Sequence, residues 1–227
     1  MHLPRIPHPW SVSAEEGVAI QRRLAAGVLP KPPRTPLRFV AGMDCAFSSD
    51  GHYCIAGVVL WDMARREAVE SRVARCEITM PYVPGLLSFR EGPALLAALQ
   101  LVRCRPDVLM CDGQGIAHPR RLGIAAHLGV VTGMPAVGCA KSRLCGSYGE
   151  PGPLRCDRTE LIHRGETIGV VLRTRDRVRP LFISIGHKLD LRTAVELVLN
   201  CGAGYRLPEP TRLADKLVAE AKRTYYK

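Results

Sequence analysis

The 227-residue sequence lacks any apolar run long enough to cross a lipid bilayer, for which a helix needs about 20 residues. Its longest apolar segments, such as residues 55–61, are far shorter. Residues 1–10 contain prolines and histidines instead of a continuous apolar stretch, so we expect no secretory signal. These absences argue against an integral membrane or secreted protein. They predict a cytoplasmic protein with no membrane partner.

Paired cysteines are also missing. The sequence has 9 cysteines, yet no two of them have the C-x-x-C spacing of zinc ribbons and thioredoxin-type redox sites. Their odd number and their apolar neighbours indicate reduced and mostly buried thiols. We therefore expect neither a structural zinc site nor a disulfide scaffold.

Acidic residues are scarce relative to basic ones. The chain has 21 Asp and Glu against 32 Lys and Arg, which gives a formal net charge of +11. Such a surplus attracts polyanions, so we expect nucleic acid or another phosphate-bearing partner. Hydrophobic residues make up 47% of the chain, and no linker or internal repeat divides it. We therefore expect one domain over residues 1–227, present as a monomer.

Apolar and alternating segments predict a sheet. Three successive strands are expected at 37–47, 53–62 and 68–79, and their short connections favour an antiparallel meander. Residues 108–111 form an apolar run typical of a buried central strand. Further strands are expected at 136–140, 166–173 and 181–185, of which the last two form a hairpin.

Helices are predicted between and after these strands. Ser13 and Glu16 have the spacing of a capping box at the start of an amphipathic helix. The helix expected over 86–102 contains Pro93, so its regular part is expected to begin near Phe89. Shorter helices are expected at 124–128, 190–199 and 211–222. The pattern predicts an α/β fold with a mixed central sheet, antiparallel meander plus parallel strands, flanked by helices.

Three carboxylates stand out. Asp44 lies near the end of the first strand, Asp112 follows the buried fourth strand, and Glu91 lies on the apolar face of the 86–102 helix. Each has an ordinary explanation: Asp44 as a turn former, Glu91 as a tolerated helix glutamate and Asp112 as a cap. If the first strand is central and lies beside the fourth, however, all three converge. Such convergence is hard to attribute to chance.

The three acids predict a metal site. Carboxylates that share an apolar cleft take up protons unless a cation balances them, and hard oxygen ligands select magnesium or manganese over zinc. Such a site suits phosphodiester hydrolysis. Lys141 and His187 lie at the ends of later elements and are candidates for proton transfer or charge stabilisation. The alternatives are a solvated surface lysine and an ordinary histidine at a helix entry.

Three blocks of sequence resemble the endonuclease V family. They are Ala-Gly-Met-Asp at 41–44, Pro-Tyr-Val-Pro-Gly-Leu-Leu-Ser-Phe-Arg-Glu at 81–91 and Asp-Gly-Gln-Gly-Ile-Ala-His-Pro-Arg at 112–120. Residues 138–142 and 186–187 extend the pattern. The resemblance implies a ribonuclease H-like fold. It also implies that three acids bind the metal and that two further residues assist catalysis: Asp44, Glu91, Asp112, Lys141 and His187.

The resemblance implies an activity as well. Members of the family nick DNA near deoxyinosine, the deamination product of deoxyadenosine. They hydrolyse the second phosphodiester bond on the 3′ side, leave a 3′-hydroxyl and a 5′-phosphate, and usually use magnesium, for which manganese can substitute. The expected partner is therefore DNA that contains deoxyinosine, and the expected role is DNA repair.

A wedge and a base pocket are further implications of the resemblance. The motif Pro81-Tyr82-Val83-Pro84 is similar to the strand-separating wedge of the family, and two prolines stiffen a loop whose aromatic tip can replace base stacking. The alternative for Tyr82 is an ordinary packed loop aromatic. The positions that match the family's base pocket are Gly85, Leu87, Gly113, Gly115 and His118.

Other functions stay open at this point. An inosine-specific endoribonuclease would need the same motifs, because contacts near the ribose 2′ position leave no readable signal here. A general resolvase-like nuclease is disfavoured by the proline-flanked Tyr82. A modified-base binding protein without catalysis would keep the basic charge, the wedge and the pocket glycines, but it would not need all three acids.

Overall fold

The computed structural model describes residues 1–33 and 35–225. Its strands are β1 (Phe39–Phe47), β2 (Tyr53–Asp62), β3 (Glu67–Glu77), β4 (Val108–Cys111), β5 (Ala136–Ala140), β6 (Arg158–His163), β7 (Glu166–Leu172) and β8 (Leu181–His187). They form one 8-stranded sheet in the order β3-β2-β1-β4-β5-β8-β7-β6.

The directions of the strands confirm the predicted mixed sheet. β1, β2 and β3 pair antiparallel in the expected meander, and β4 runs parallel to both β1 and β5. β8 pairs antiparallel with β5, and β7 with β8, which confirms the late hairpin. Every residue of β4 and β5 is buried, as a strand covered on both faces requires.

Helices cover both faces of this sheet. They are α1 (Ala14–Ala25), α2 (Leu87–Gln100), α3 (Ile124–Thr132), α4 (Leu191–Asn200) and α5 (Glu209–Tyr225). α2 and α3 pack with one face of β1, β2 and β4, whereas α4 packs on the other face against β7 and β8. Among the described helices, none has the length and apolar character needed to cross a membrane.

The capping box is present as predicted. Ser13 Oγ accepts a hydrogen bond from the Glu16 N–H, and the Glu16 carboxylate accepts one from the Ser13 N–H. At the other end of the chain, Asp190 caps α4 by accepting a hydrogen bond from the Thr193 N–H at 2.7 Å. Both caps satisfy N–H groups that would otherwise lack a partner.

The close approach of α5 to β1 determines what lies above the sheet. Gly42, in the middle of β1, lies against the backbone of Pro210 in the first turn of α5, where an added Cβ would come within 2.0 Å of the Pro210 carbonyl oxygen. Only glycine allows this approach. It brings the next turn of α5 over the C-terminal half of β1.

Two predictions of local structure were wrong. α2 begins at Leu87 and not near Phe89, and it continues through Pro93, because Phe89 and Ala94 on either side of the proline are fully buried in the core. Strand β6 was overlooked. It is a polar edge strand in which Leu161 alone is fully buried, so its sequence carries little apolar signal.

Candidate active site

Asp44 and Asp112 lie side by side at one edge of the sheet. Met43 of β1 pairs with Cys111 of β4, and the Asp112 N–H donates to the Met43 carbonyl oxygen at 3.0 Å. Because the two strands are parallel and in register, the residues that follow this pair come together. Strand β4 lies beside β1, as predicted, and the two carboxylates near the ends of these strands therefore lie in one cleft.

A third aspartate completes the cluster from α5. Carboxylate oxygens of Asp44, Asp112 and Asp215 lie within 4.8 Å of one another, and in the described residues this is the group of acids that could hold a metal ion. Sequence reasoning missed Asp215. It is an exposed acid on an amphipathic helix, where Ala214 and Val218 face the core, and such residues are usually solvated.

Glu91 is adjacent to this cluster without belonging to the group of three. It lies on α2 and faces the core, as its position on the apolar face predicts. Burial, together with the negative charges of Asp44 and Asp112, raises the pKa of the Glu91 carboxyl to about 8. Electrostatically, Glu91 is therefore part of the same acidic site.

The acids are unfavourable to one another when all are ionised. The pKa of Asp44 is raised to about 7, mainly by burial and further by the negative charge of Asp112. The Cys45 N–H, which donates to Asp44 Oδ1 at 2.7 Å, partly opposes this rise. Burial also raises the pKa of Asp112. Buried carboxylates in this state favour either protons or a cation.

Lys141 supplies part of the missing positive charge. It follows β5 directly, and its Nζ lies 2.5 Å from Asp112 Oδ2 and 3.0 Å from Asp215 Oδ1. Burial alone would lower the pKa of Lys141, but the hydrogen bonds and charges of these two acids raise it above its ordinary value. One ammonium group balances one of four acids, so the donor set still fits a hard divalent cation.

His187 does not join this site. It pairs with Ala136 at the beginning of β5, whereas Lys141 follows the end of the same strand. Its Nδ1 accepts a hydrogen bond from the Leu29 N–H at 3.3 Å, and burial lowers the pKa of the ring to about 4. Because β8 runs antiparallel to β5, the C-terminal end of β8 lies at the opposite edge of the sheet from the acids.

A cavity of about 260 Å³ opens beside the acids. Asp112 and Lys141 line it together with five of the residues predicted for the wedge and the base pocket: Tyr82, Gly85, Leu87, Gly113 and His118. The loop that contains Pro81, Tyr82 and Pro84 is exposed, with Tyr82 at 65% exposure and Val83 half-buried. An aromatic side chain therefore projects at the cavity rim.

Gly115 is the predicted pocket residue that does not line this cavity. Its N–H donates to Ser184 Oγ at 2.8 Å. A Cβ at this position would come within 2.0 Å of the Ile185 carbonyl oxygen. The glycine allows close packing of the 113–118 loop on β8, which is a structural role in the pocket wall.

The Gly85 carbonyl group connects three side chains in and around the wall of the cavity. It accepts hydrogen bonds from Gln21 Nε2 at 2.9 Å, His118 Nε2 at 2.9 Å and Arg120 Nη2 at 2.8 Å. His118 Nδ1 accepts from the Arg120 N–H, which fixes a neutral ring with its proton on Nε2. Burial lowers the pKa of His118 to about 4 and keeps the ring neutral.

Comparisons with known proteins show similarity over most of the chain. The sequence model of the Endonuclease V family matches residues 22–216. Endonuclease V from Trichormus variabilis is 48% identical over 214 residues, which are 94% of this chain and 97% of that protein. The crystal structure of the Endonuclease V from Streptomyces avermitilis superposes with a TM-score of 0.92 at 40% identity and covers 100% of both chains.

A more distant solved structure shares the fold. Endonuclease V from Ciona intestinalis is 24% identical, with a TM-score of 0.81 over 93% of this chain and 98% of that chain. It was crystallised with a 24mer DNA containing an inosine followed by a ribo-adenosine. The match of the family model to residues 22–216 and the identity of 48% to a full-length relative lead to one conclusion. The chain belongs to the endonuclease V family.

Proposed function

We propose that this protein is a metal-dependent endonuclease of DNA repair that acts on DNA containing deoxyinosine. It hydrolyses the second phosphodiester bond on the 3′ side of the lesion and leaves a 3′-hydroxyl and a 5′-phosphate. The observation that carries the proposal is the cluster of Asp44, Asp112 and Asp215 beside a base-sized cavity. A purely base-binding protein has no use for a cluster of mutually repelling acids.

The acids are proposed to hold magnesium, or manganese in its place. Asp44, Asp112 and Asp215 offer hard oxygen ligands, and Glu91 adds negative charge from α2. When bound, the ion supplies activation of water and charge stabilisation at the phosphate. The raised pKa values of Asp44 and Glu91 support this assignment, because a bound cation removes the repulsion that causes part of the shift.

Lys141 is proposed to bind the scissile phosphate as well as the acids. Its ammonium group is half-buried at the cavity edge and contacts Asp112 and Asp215. A cation at this place can stabilise the negative charge that develops on the phosphate oxygens. His187 has no part in this mechanism, because it lies at the opposite edge of the sheet.

The cavity and the Tyr82 loop are proposed to recognise the lesion. The cavity of about 260 Å³ lies next to Asp112, so a base that leaves the helix would place its own backbone near the acids. Exposed Tyr82 at the rim can stack in the space the base leaves. Inosine in the DNA bound by the Ciona intestinalis protein is consistent with this substrate class.

A nicking assay tests the proposed function. Matched DNA and RNA oligonucleotides, each with one inosine or one adenosine, are incubated with magnesium or with EDTA, and the product ends are mapped. We expect magnesium-dependent nicking of the deoxyinosine DNA at the second 3′ bond, with a 5′-phosphate product. Cleavage of RNA alone would identify an inosine-specific endoribonuclease instead, and specific binding without cleavage would identify a non-catalytic binding protein.

Tyr82→Ala tests the wedge. We expect about tenfold weaker binding to deoxyinosine duplex, because one aromatic stacking contact is worth about 1–3 kcal/mol. Metal affinity should stay unchanged. Tyr225→Ala is a matched control, since that tyrosine is also exposed but lies at the end of α5. Discrimination between deoxyinosine and normal DNA equal to that of the unmodified protein would rule out the wedge.

A further inference from the structure

A chain of hydrogen bonds leads from the cavity through buried side chains to Pro9 near the surface. Ser88, which lines the cavity, lies 2.8 Å from His127 Nδ1 through its Oγ. His127 Nε2 lies 2.8 Å from His8 Nε2, and His8 Nδ1 lies 2.8 Å from the Pro9 carbonyl oxygen. Ser88, His127 and His8 are 2%, 0% and 8% exposed. The three side chains are thus buried, and the hydrogen bonds join the cavity to the exposed residue Pro9.

The carbonyl group of Pro9, at the far end from the cavity, sets the direction of every hydrogen bond. A carbonyl oxygen can only accept, so His8 carries its proton on Nδ1 and accepts at Nε2. His127 must then donate from Nε2 and accept at Nδ1, which leaves Ser88 as the donor to His127. Burial lowers the pKa of His127 to about 3 and also lowers that of His8, so both rings stay neutral.

The surroundings hold the two rings in place. Trp10 and Phe89 pack against both histidines, with ring centroids 4.6 Å apart for His8 and Trp10 and 5.1 Å apart for Phe89 and His127. Such an aromatic cage leaves the imidazoles no room to turn over. The direction of the chain is therefore a fixed property of the fold.

Ser88 consequently faces the cavity as an acceptor. Its hydroxyl proton is committed to His127, so the oxygen lone pairs are what it offers to a base. A second acceptor lines the same cavity. Gln114 Nε2 donates to the Ser142 carbonyl oxygen at 2.8 Å, while the buried Gln114 Oε1 has no hydrogen-bond partner among the described residues. A buried acceptor without a partner is costly unless a ligand donates to it.

We propose that Ser88, held as an acceptor by the His127–His8–Pro9 chain and assisted by Gln114, selects bases that carry an imino N–H in place of the N1 lone pair of adenine. The inference rests on the proposed function and names the base property that the cavity reads. Hypoxanthine has a single N1–H donor, which pairs with Ser88 Oγ and, if the bond is bifurcated, also reaches Gln114 Oε1. Adenine presents a lone pair there, so acceptor faces acceptor and the buried groups stay unpaired. Ser88 is the specificity residue, and the histidines position its proton.

Binding measurements test the role of Ser88. Dissociation constants are measured for single-stranded DNA with one deoxyinosine, deoxyadenosine or 2′-deoxynebularine, a purine without N1–H, with calcium in place of magnesium to prevent cleavage. We expect the unmodified protein to prefer deoxyinosine over both. Ser88→Ala should weaken deoxyinosine binding about tenfold and leave the other two unchanged, as expected for loss of one buried hydrogen bond. Ser88→Thr, which keeps the hydroxyl, should restore the preference.

The controls separate the two proposals. Thr132→Val removes another buried hydroxyl from the helix that carries His127, outside the cavity, and should leave the preference unchanged. If the unmodified protein does not prefer deoxyinosine, the proposed function is wrong. If it does and Ser88→Ala prefers deoxyinosine equally, the proposed function stands and the role of Ser88 is overturned.

The direction of the hydrogen bonds from Ser88 to Pro9 can be tested on the unmodified protein. Nitrogen-15 NMR of the histidine rings distinguishes the two neutral tautomers. We expect the proton of His8 on Nδ1 and that of His127 on Nε2, and we expect His8→Phe to lower the deoxyinosine preference by freeing the His127 ring. The opposite tautomers, or a charged ring in either histidine at pH 7, would overturn the assigned direction and with it the acceptor role of Ser88.

Discussion

Asp44 and Asp62 lie on neighbouring strands of one sheet, yet their carboxylates have opposite surroundings. Asp62 ends β2 and is 1% exposed. It accepts hydrogen bonds from the Arg38 side chain, with Nη2 at 2.7 Å, and from the Ala64 N–H at 2.9 Å, and the bonds from Arg38 are the main cause that lowers its pKa to about 2. Asp44 faces Asp112 instead, and burial raises its pKa to about 7.

The difference separates a carboxylate with a structural role from one with a proposed functional role. Within the described chain, the fold surrounds Asp62 with donors that stabilise its charge. Around Asp44 it places more acids and one ammonium group, that of Lys141, so we propose that the remaining stabilising charge comes from a bound cation. Perturbation of this second kind is typical of active sites. The same residue type in the same sheet thus has a stabilised charge at one end, and at the other a repelled charge that supports the proposed metal site.

The largest effect is expected on the rate of DNA cleavage when an acid of the proposed metal site is replaced. Asp112→Asn removes a proposed metal ligand, and losing several kcal/mol of transition-state stabilisation corresponds to at least about a thousandfold slower nicking. Binding of deoxyinosine DNA should largely survive, and Asp44→Ala should behave in the same way. Single-turnover nicking assays and gel-shift titrations measure the two quantities.

Asp62→Asn is the matched control for that experiment. It also replaces a carboxylate by an amide in this sheet, but at the end of the strands opposite to Asp44, Asp112 and Asp215. The folded fraction of this variant should nick at nearly the unmodified rate. Full nicking by Asp112→Asn, or an equal loss in both variants, would remove the distinction between the two ends.

A smaller effect is expected in the pH dependence of metal binding. Magnesium or manganese must displace protons from Asp44 and Glu91, whose pKa values are raised to about 7 and about 8. Affinity should therefore fall as pH falls, by about tenfold from pH 7 to pH 6 for each proton displaced. Calorimetric titration in two buffers of different ionisation enthalpy counts the protons released.

The difference between Asp44 and Asp62 should also appear when Asp44→Asn is titrated with manganese in the same calorimetric experiment. This variant should release fewer protons on binding manganese and bind it more weakly, while Asp62→Asn should match the unmodified protein. A metal affinity that does not change between pH 6 and pH 8 would contradict the assignment of the acids as ligands.

How much of the site could be predicted from the sequence depends on how local each signal is. Asp44 and Asp112 follow apolar runs and are brought together by adjacent parallel strands, so the order of the strands is enough to pair them. Glu91 is recognisable as a carboxylate on an apolar helix face. In each of these cases the residue's own segment contains the signal.

Asp215 and His187 could not be placed in this way. Asp215 reaches the acids only because α5 packs closely on Gly42, a contact between residues far apart in the chain. His187 is the last residue of β8, and nothing in its segment shows that β8 runs antiparallel to β5. Strand direction in the second half of the sheet is set by long-range pairing, which local patterns do not reveal.

The smallest expected effect is on stability, where one substitution should have opposite signs at the two ends. A raised pKa means that the folded state binds the proton more tightly, so Asp44 lowers the free energy of unfolding of the metal-free protein as pH rises from about 4 to about 7. Asp62, whose pKa is lowered to about 2, does the reverse as pH rises from about 2 to about 4. Asp44→Asn should therefore stabilise the metal-free protein at pH 8, by about 2 kcal/mol, and Asp62→Asn should destabilise it.

Urea unfolding with EDTA at pH 5 and pH 8 measures both signs. The gain from Asp44→Asn should shrink at pH 5, where the carboxyl of the unmodified protein is already protonated, whereas the loss from Asp62→Asn should persist at both pH values. With saturating manganese, the unmodified protein should have a higher free energy of unfolding than Asp44→Asn, because the ion stabilises only a site that still has its acids. If Asp44→Asn destabilised the metal-free protein as much as Asp62→Asn does, Asp44 would be a structural residue and the acids would need no cation.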